Sequence, residues 1–351
     1  MPNKEELEAL LQRHRGRVGW ADTLEDRRRR HQSQEINRTF EDRHVAGLAK
    51  ISEEWDEQLE DLTGRLDWES RVTNGTVCST GILSLDIALG GGLPVGVTEI
   101  YGKESSGKTT LSYEIMRSAQ DQGLNIAICS SEALDIERMK RIGVNLDTVA
   151  VIQGAPGESV LSAGLDFIQG NDRALFIDSM TGIRPAKDDP GNWLGMVQEW
   201  LASVSTIPLS SLVLITNQIR QKRSCLAGQF FAGTTGSTAR KIQRYFDTRL
   251  ELDRDQVTDT TYNMVVNVVA NLRSAPHKIV SLPVVKNSGI EVWRDVVRVA
   301  VISGVLTERS SYYYYLNSLI GHGEQDTAMK LSTTRLGGEI FEQTTQAIAR
   351  V

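Results

Sequence analysis

Gly102-Lys-Glu-Ser-Ser-Gly-Lys108-Thr109 fits the pattern G-x-x-x-x-G-K-[ST] and is the stretch on which the fold depends. In that pattern the glycines let the backbone curl until successive N–H groups point at one anion. A helix that begins at the loop turns its positive end toward the same anion. Lys108 is expected to reach the β- and γ-phosphates of a nucleotide, and the Thr109 hydroxyl is expected to hold Mg²⁺. The stretch therefore predicts a phosphate loop.

The residues on both sides of the loop have the pattern that a phosphate loop requires. Residues 97–101 predict a buried strand before it, and residues 110–118 predict a helix after it. On that helix Leu111, Ile115 and Ala119 fall on one face. The alternative is a Gly/Ser turn that matches by chance, but a chance match requires neither the strand nor the helix.

Length and composition restrict the class of protein. The chain has 351 residues, which favours two or three domains, and its composition predicts a soluble globular protein. No apolar run is long enough to cross a bilayer and no signal peptide opens the chain, so we expect no membrane contact. Cys78, Cys129 and Cys225 lack the spacing of a metal site, which favours reduced thiols in a cytosol. With a net charge of −6, any surface for nucleic acid has to be local.

Residues 1–75 are predicted to form a helical arm used in oligomerisation. They are rich in Arg, Glu and Asp, and a helix over 35–62 carries apolar side chains at three- and four-residue steps, namely Leu48, Ile51, Trp55, Leu59 and Leu62. A narrow apolar stripe needs a surface to lie on, and a neighbouring copy would provide one. The four arginines at 27–30 either contact phosphate or form a solvated turn offset by acidic neighbours.

Residues 76–290 alternate strand and helix patterns, which predicts a mostly parallel sheet with helices on both faces. In such sheets the carboxyl ends of the strands line the ligand crevice. The strand over 125–129 ends near Glu132, whose carboxylate is placed to orient and deprotonate a water that attacks the γ-phosphate. A helix cap is the alternative, because Ser130 or Ser131 followed by Glu is ordinary N-terminal chemistry. The position of Glu132 in the sequence does not by itself distinguish a catalytic base from a helix cap.

Two further strands end in polar side chains at the same edge of the predicted sheet. The strand over 173–178 ends in Asp178, and an acid there can hold Mg²⁺ through its water shell opposite Thr109. The alternative for Asp178 is a capping role. The strand over 212–218 ends in Gln218, which is placed to hydrogen-bond the γ-phosphate and to respond to its loss.

Long segments follow both of these strands and are candidate DNA contacts. In the first, 184–195, the predicted contacts are Arg184, Lys187 and Trp193, although Asp188 and Asp189 argue against a purely electrostatic groove. In the second, 219–237, the predicted contacts are Arg220, Lys222, Arg223, Phe230, Phe231, Gly236 and Ser237. Cations suit the phosphates of a single strand and rings suit its bases. A solvated surface loop is the alternative for both segments.

The C-terminal part is predicted to be a smaller α/β unit over 291–351. Before it, the strands over 261–269 and 278–285 form a late hairpin. Four consecutive tyrosines at 312–315 lie within the unit, and alternating rings in a strand pack a small core more often than they stack on a base. Residues 338–351 predict a closing helix.

Eight short pieces of the chain together form a pattern far more specific than the phosphate loop alone. They are 79–90 (STGILSLDIALG), 99–102 (EIYG), 104–110 (ESSGKTT), 132–135 (EALD), 177–179 (IDS), 217–220 (NQIR), 234–236 (TTG) and 249–250 (RL). With these pieces the chain resembles the RecA family of homologous-recombination strand-exchange ATPases, over about residues 80–323.

The resemblance implies an α/β fold with a RecA-like P-loop ATPase core that binds ATP and Mg²⁺. Glu132 then activates the hydrolytic water, with Lys108 and Gln218 as further catalytic residues. Asp178 and Thr109 then hold the magnesium ion. The implied ATP contacts are Gly102, Glu104, Ser105, Ser106, Gly107, Lys108, Thr109, Thr110, Asp135 and Arg138.

The resemblance also implies partners and a location. The family coats single-stranded DNA as a helical filament, binds ATP between neighbouring copies and pairs the strand with a homologous duplex. Segments 184–195 and 219–237 then correspond to the two DNA loops, and Gln218 couples the γ-phosphate to the second. We expect filament formation through the N-terminal arm, in the cytosol of a bacterium or a phage-infected host.

Several positions depart from the family pattern. Arg138 replaces a tyrosine that stacks on adenine, and a guanidinium can also stack on a base. One residue is missing after Glu132. Ala270 and Leu272 stand where the family has a lysine pair that reaches the nucleotide of the neighbouring copy, and Arg273 is a candidate substitute. This divergence resembles phage-borne members.

Three functions are compatible with the sequence. The first is an ATP-dependent recombinase that forms filaments on single-stranded DNA. The second is a ring-forming helicase or a recombination mediator, against which the extended match at 217–220 and 234–236 argues. The third is a DNA-coating protein that binds ATP and hydrolyses it weakly, which the changes at Ala270 and Leu272 and the missing residue after Glu132 keep open.

Overall fold

The computed structural model describes residues 77–130, 133–154, 156–187, 190–207, 211–218, 242–271 and 276–349. These residues all belong to one compact unit of the chain, Gln58–Val351. The predicted arm over 1–75, Glu132 and the segment 219–237 lie outside the described residues. The domain boundaries proposed at 75/76 and 290/291 stay predictions.

A nine-stranded sheet forms the centre of the described unit. A short antiparallel pair, β1 (Val77–Cys78) and β2 (Leu93–Pro94), precedes it. The nine strands are β3 (Gly96–Gly102), β4 (Asn125–Cys129), β5 (Val149–Ile152), β6 (Arg173–Ile177), β7 (Leu212–Gln218), β8 (Thr248–Asp255), β9 (Thr261–Asn271), β10 (Lys278–Val285) and β11 (Gly289–Ile290). Their order across the sheet is β11-β10-β9-β8-β3-β7-β6-β4-β5.

The sheet is parallel from β5 to β8 and antiparallel from β8 to β11. The central strands β3 and β7 are nearly continuous runs of buried residues, as expected when helices cover both faces of a parallel sheet. The predicted mostly parallel sheet is confirmed. The predicted late hairpin is also confirmed, since β9 and β10 pair antiparallel.

The described helices that accompany the parallel strands are α1 (Leu83–Leu89), α2 (Lys108–Asp121), α3 (Ile136–Ile142), α4 (Gly157–Ile168) and α5 (Pro190–Thr206). Helices α4 and α5 cover one face of the sheet, where Leu161 and Leu201 belong to the same buried cluster as Leu175 and Ile215. None of the helices in the described ranges is long and apolar enough to span a bilayer.

The prediction of a loop over 184–195 is wrong for its second half, because α5 begins at Pro190. Proline is favoured in the first turn of a helix, where its missing N–H costs nothing. From Trp193 onward, apolar residues at Met196, Val197 and Trp200 recur at three- and four-residue steps and pack against the core. The loop that follows β6 is therefore shorter than predicted.

The segment after β11 consists of α6 (Val292–Ile302), β12 (Thr307–Arg309), β13 (Tyr312–Tyr315), β14 (Ser318–His322), α7 (Glu324–Thr333) and α8 (Arg335–Ala349), and its three strands form one sheet. Tyr313 and Tyr315 point into its core beside Leu331 and Ile340. The interpretation that these rings pack a small core is confirmed. The closing helix is also confirmed, but it begins at Arg335 rather than at residue 338.

Two buried carboxylates join α1 to its surroundings. Asp295 of α6 accepts a hydrogen bond from the backbone N–H of Ser84 at 2.9 Å. Asp86 accepts hydrogen bonds from Thr80 N at 2.7 Å and from Thr80 Oγ1 at 2.6 Å. Burial, with a smaller contribution from the nearby Asp295, raises the pKa of Asp86 to about 7, although the hydrogen bonds from Ser79 and Thr80 lower it.

Ionisation of Asp86 predicts a pH dependence of stability. Its pKa is higher in the folded than in the unfolded chain, so the unfolded state gains charge first and stability falls as pH rises. Relative to Asp86→Asn, the wild type is expected to lose unfolding free energy between about pH 4 and pH 7, by at most about 1.4 kcal/mol per pH unit, and to level off above that range. Urea unfolding of both proteins across this range tests it, and parallel pH profiles would contradict it.

Candidate nucleotide-binding site

A cavity of about 460 Å³ lies where the carboxyl ends of β3 and β7 meet the start of α2. The predicted residues that line it are Ser105, Gly107, Lys108, Thr109, Thr110, Asp135, Arg138, Asp178 and Gln218. Gly102 closes β3 directly before the loop, and Ser106 is buried within the loop. Glu104 is exposed and is not one of the lining residues. The fold therefore gathers most of the predicted ATP contacts in one place.

The backbone of the loop explains its glycines. Gly107 stands at the start of α2 with φ of 101°, a left-handed conformation that favours glycine. A Cβ at Gly107 would press against Met264 and the Tyr262 hydroxyl, and a Cβ at Gly102 would collide with the Leu252 carbonyl. A side chain at Gly102 would force β8 away from the loop, whereas a side chain at Gly107 would displace the ends of the Met264 and Tyr262 side chains and strain the left-handed backbone.

Lys108 is held by the loop itself. Its ammonium donates to the carbonyls of Gly102 at 3.1 Å and Lys103 at 2.7 Å. Burial lowers the pKa of Lys108, while Asp178 and Glu104 raise it. An ammonium has three protons to donate, so its site can also serve a phosphate oxygen at the cavity.

Asp178 is oriented by a neighbouring strand. Thr216 Oγ1 of β7 donates to Asp178 Oδ1 at 2.6 Å. Asp178 and Thr109 line the same cavity. Within the described ranges there is no group of three or more His, Cys, Asp or Glu side chains that could hold a metal. Magnesium is commonly held by one or two carboxylates together with substrate phosphates and waters, so this pair fits the ion.

Asp135 and Arg138 are linked at the other end of the cavity. The Asp135 carboxylate caps α3 by accepting from Arg138 N at 3.0 Å. The Arg138 guanidinium donates through Nη2 to the carbonyl of Lys286 at 3.1 Å. The guanidinium is thereby fixed at the wall of the cavity, where the resemblance places the base.

Several lining residues were missed by the sequence reasoning, among them Arg254, Tyr262 and Lys286. The Arg254 guanidinium lies 4.4 Å from the centre of the Tyr262 ring. Arg254 lies on β8, Tyr262 lies on β9, and Lys286 directly follows β10. The pairings of β8 with β9 and of β9 with β10 bring the three residues together. No local sequence signal marks them.

The predicted DNA-binding residues are only partly described. Arg184 and Lys187 are exposed in the loop after β6, and Glu158 holds that loop by accepting from Ala186 N at 3.0 and 3.1 Å. Trp193 packs against the core and donates through Nε1 to the Met180 carbonyl at 3.4 Å. Those from Arg220 to Ser237 lie outside the described residues, as do Glu132, Leu272 and Arg273.

Comparison with known proteins identifies the family. Residues 63–291 match the family model described as the RecA N-terminal domain. Protein RecA of Desulfotalea psychrophila is 36% identical over 278 residues, which cover 74% of this chain and 77% of the relative. Protein RecA of Cereibacter sphaeroides is 34% identical over 301 residues, which cover 80% of this chain and 86% of the relative. This chain belongs to the RecA family.

Proposed function

We propose that this chain is an ATP-dependent DNA recombinase that assembles on single-stranded DNA and catalyses homologous pairing and strand exchange. As an enzyme it is a DNA-dependent ATPase. The observation that carries the proposal is the phosphate-loop cavity, in which Lys108, Thr109, Asp178 and Gln218 meet in a chain of the RecA family.

ATP binding is assigned to the loop and its surroundings. The N–H groups of the loop and the Lys108 ammonium bind the phosphates, while Asp135 and Arg138 contact the base. Thr109 and Asp178 would hold Mg²⁺, which would neutralise negative charge on the phosphates. Thr216 fixes the Asp178 carboxylate and so prepares that site.

Hydrolysis requires a base for the attacking water. The oxygen of water bonds to the γ-phosphorus, the bond from that phosphorus to the β–γ bridging oxygen breaks, and ADP leaves with the electron pair of that bond. We assign the proton to Glu132, which follows β4 in the sequence, because β4 pairs with β6 and Asp178 directly follows β6. Gln218 detects the γ-phosphate, because the register places it opposite Gly102.

DNA binding is assigned to the segments that follow β6 and β7. Arg184 and Lys187 supply cations in the first, and residues from Arg220 to Ser237 supply cations and rings in the second. Neighbouring copies associate through the arm over 1–75, and ATP lies at the seam between them. The resulting filament pairs its strand with a homologous duplex in the cytosol.

The ATPase rate with and without single-stranded DNA tests this function. We expect turnover to rise when the strand is added, because Gln218 joins the nucleotide cavity to the second DNA segment. Electron microscopy with single-stranded DNA and a non-hydrolysable ATP analogue is expected to show helical filaments. A closed ring around the strand would select the helicase or mediator alternative. Protein that stays monomeric and leaves the strand unbound would overturn the proposal.

A further inference from the structure

A buried ion pair crosses the centre of the sheet beside the nucleotide cavity. Glu99 of β3 accepts from Asn217 Nδ2 of β7 on Oε1 at 2.7 Å, and from Arg249 Nε of β8 on Oε2 at 2.7 Å. The side chains of Glu99 and Arg249 are only 7% and 12% exposed. Three adjacent strands, β7, β3 and β8, therefore each contribute one member of a single polar cluster.

This cluster is attached to the strand end that carries Gln218. Asn217 directly precedes Gln218, and the two residues pair with Tyr101 and Gly102 of β3. Side chains alternate along a strand, so Asn217 points to the face opposite that of Gln218 and Thr216. The Arg249 guanidinium lies 4.7 Å from the centre of the Tyr101 ring, which holds it over the same strand. The end of β7 is therefore held by contacts on the face of the sheet opposite the cavity, while Gln218 faces the cavity.

Stability alone is a poor explanation of this cluster. Charged groups lose their hydration on burial, and apolar residues of similar volume often stabilise such a site as well or better. Asn217 Oδ1 is buried and accepts no hydrogen bond from the described residues. What the cluster provides is a fixed geometry, because each oxygen of Glu99 has its own donor on a different strand.

We propose that Glu99 is a positioning residue that acts through Asn217. It sets the position of Gln218, so that a movement of Gln218 is transmitted to the segment after β7. When Gln218 contacts the γ-phosphate, a fixed Asn217 prevents the strand end from absorbing the displacement. The displacement then passes into residues 219–237. The inference rests on the proposed function, since it concerns the coupling between ATP and DNA.

The test exchanges the carboxylate and the amide between the two strands. Asn217→Asp puts two carboxylates in contact, so the position of Gln218 is no longer fixed. The readout is the ratio of Kd for single-stranded DNA without and with a non-hydrolysable ATP analogue. We expect Asn217→Asp to lower this ratio about 5-fold or more, and we expect the double variant Glu99→Gln/Asn217→Asp to recover most of it. The double variant restores one carboxylate, one amide and the net charge of the cluster, although the carboxylate then lies on β7 rather than opposite Arg249.

A matched control separates positioning from stability. Glu114 is a similarly buried carboxylate, 6% exposed, that lies 3.6 Å from Arg117 and accepts from Ile290 N. Glu114→Gln is expected to change the melting temperature and leave the Kd ratio unchanged. If Asn217→Asp fails to fold, Glu99→Gln alone decides, and an unchanged ratio in that variant overturns the inference. A wild type without ATP-dependent DNA binding would instead overturn the proposed function.

Discussion

Replacing Lys108 with alanine is expected to abolish ATP-dependent DNA binding without unfolding the protein. The variant loses the cation assigned to the β- and γ-phosphates, and the loss of one such donor lowers kcat by about 100- to 1000-fold. Burial opposes the charge of Lys108, as the lowered pKa shows, so its removal relieves an energetic cost in the folded chain. ATP turnover, nucleotide-dependent DNA binding and thermal unfolding measure the three effects.

Lys103→Ala is the matched control for this prediction. Lys103 lies in the same loop, but its side chain is 58% exposed and forms a surface ion pair with Asp253 at 3.2 Å. Exposed pairs of this kind contribute about 0–1 kcal/mol, so neither turnover nor folding is expected to change much. DNA-stimulated turnover that survives in Lys108→Ala would show that the loop does not hold the triphosphate.

Glu132→Gln is expected to separate hydrolysis from binding. The amide keeps the size of the side chain but cannot accept the proton of the attacking water, which lowers the hydrolysis rate by about 100- to 10,000-fold. Binding of ATP and of single-stranded DNA is expected to persist, because neither is assigned to Glu132. Single-turnover hydrolysis and DNA binding with ATP present are the measurements.

Glu137→Gln controls for a general effect of removing a carboxylate from this part of the chain. Glu137 lies on α3 with its side chain 77% exposed and is 3.5 Å from Lys140. Its replacement is expected to leave hydrolysis unchanged. If Glu132→Gln hydrolyses ATP at the wild-type rate, Glu132 is only a helix cap. If the wild type itself turns ATP over poorly, the DNA-coating alternative is favoured.

The sequence predicted the nucleotide side of the fold well because its signals are local. The strand over 97–101 differs from the observed β3, Gly96–Gly102, by one residue at each end. The strand over 125–129 has the predicted bounds. A buried parallel strand is an unbroken apolar run, and a phosphate loop has fixed spacing, so both can be read within a short window.

The remainder of the site depends on contacts that a short window does not contain. Arg254 and Tyr262 reach the loop because β8 pairs in parallel with β3 and antiparallel with β9. Trp193 illustrates a different difficulty. Its ring and the cations near it favoured a DNA contact, whereas the apolar periodicity that continues to Trp200 belongs to a helix packed on the core.

Strand β7 carries side chains that serve two parts of the site. Thr216, which steadies the Asp178 carboxylate, and Gln218 lie two residues apart on one face of it. A movement of β7 that withdraws Gln218 would also move the Asp178 carboxylate, which is assigned to the metal. Loosening of the ion and release of the DNA strand would then belong to one motion. The catalytic cycle would then need no separate signal for the release of ADP.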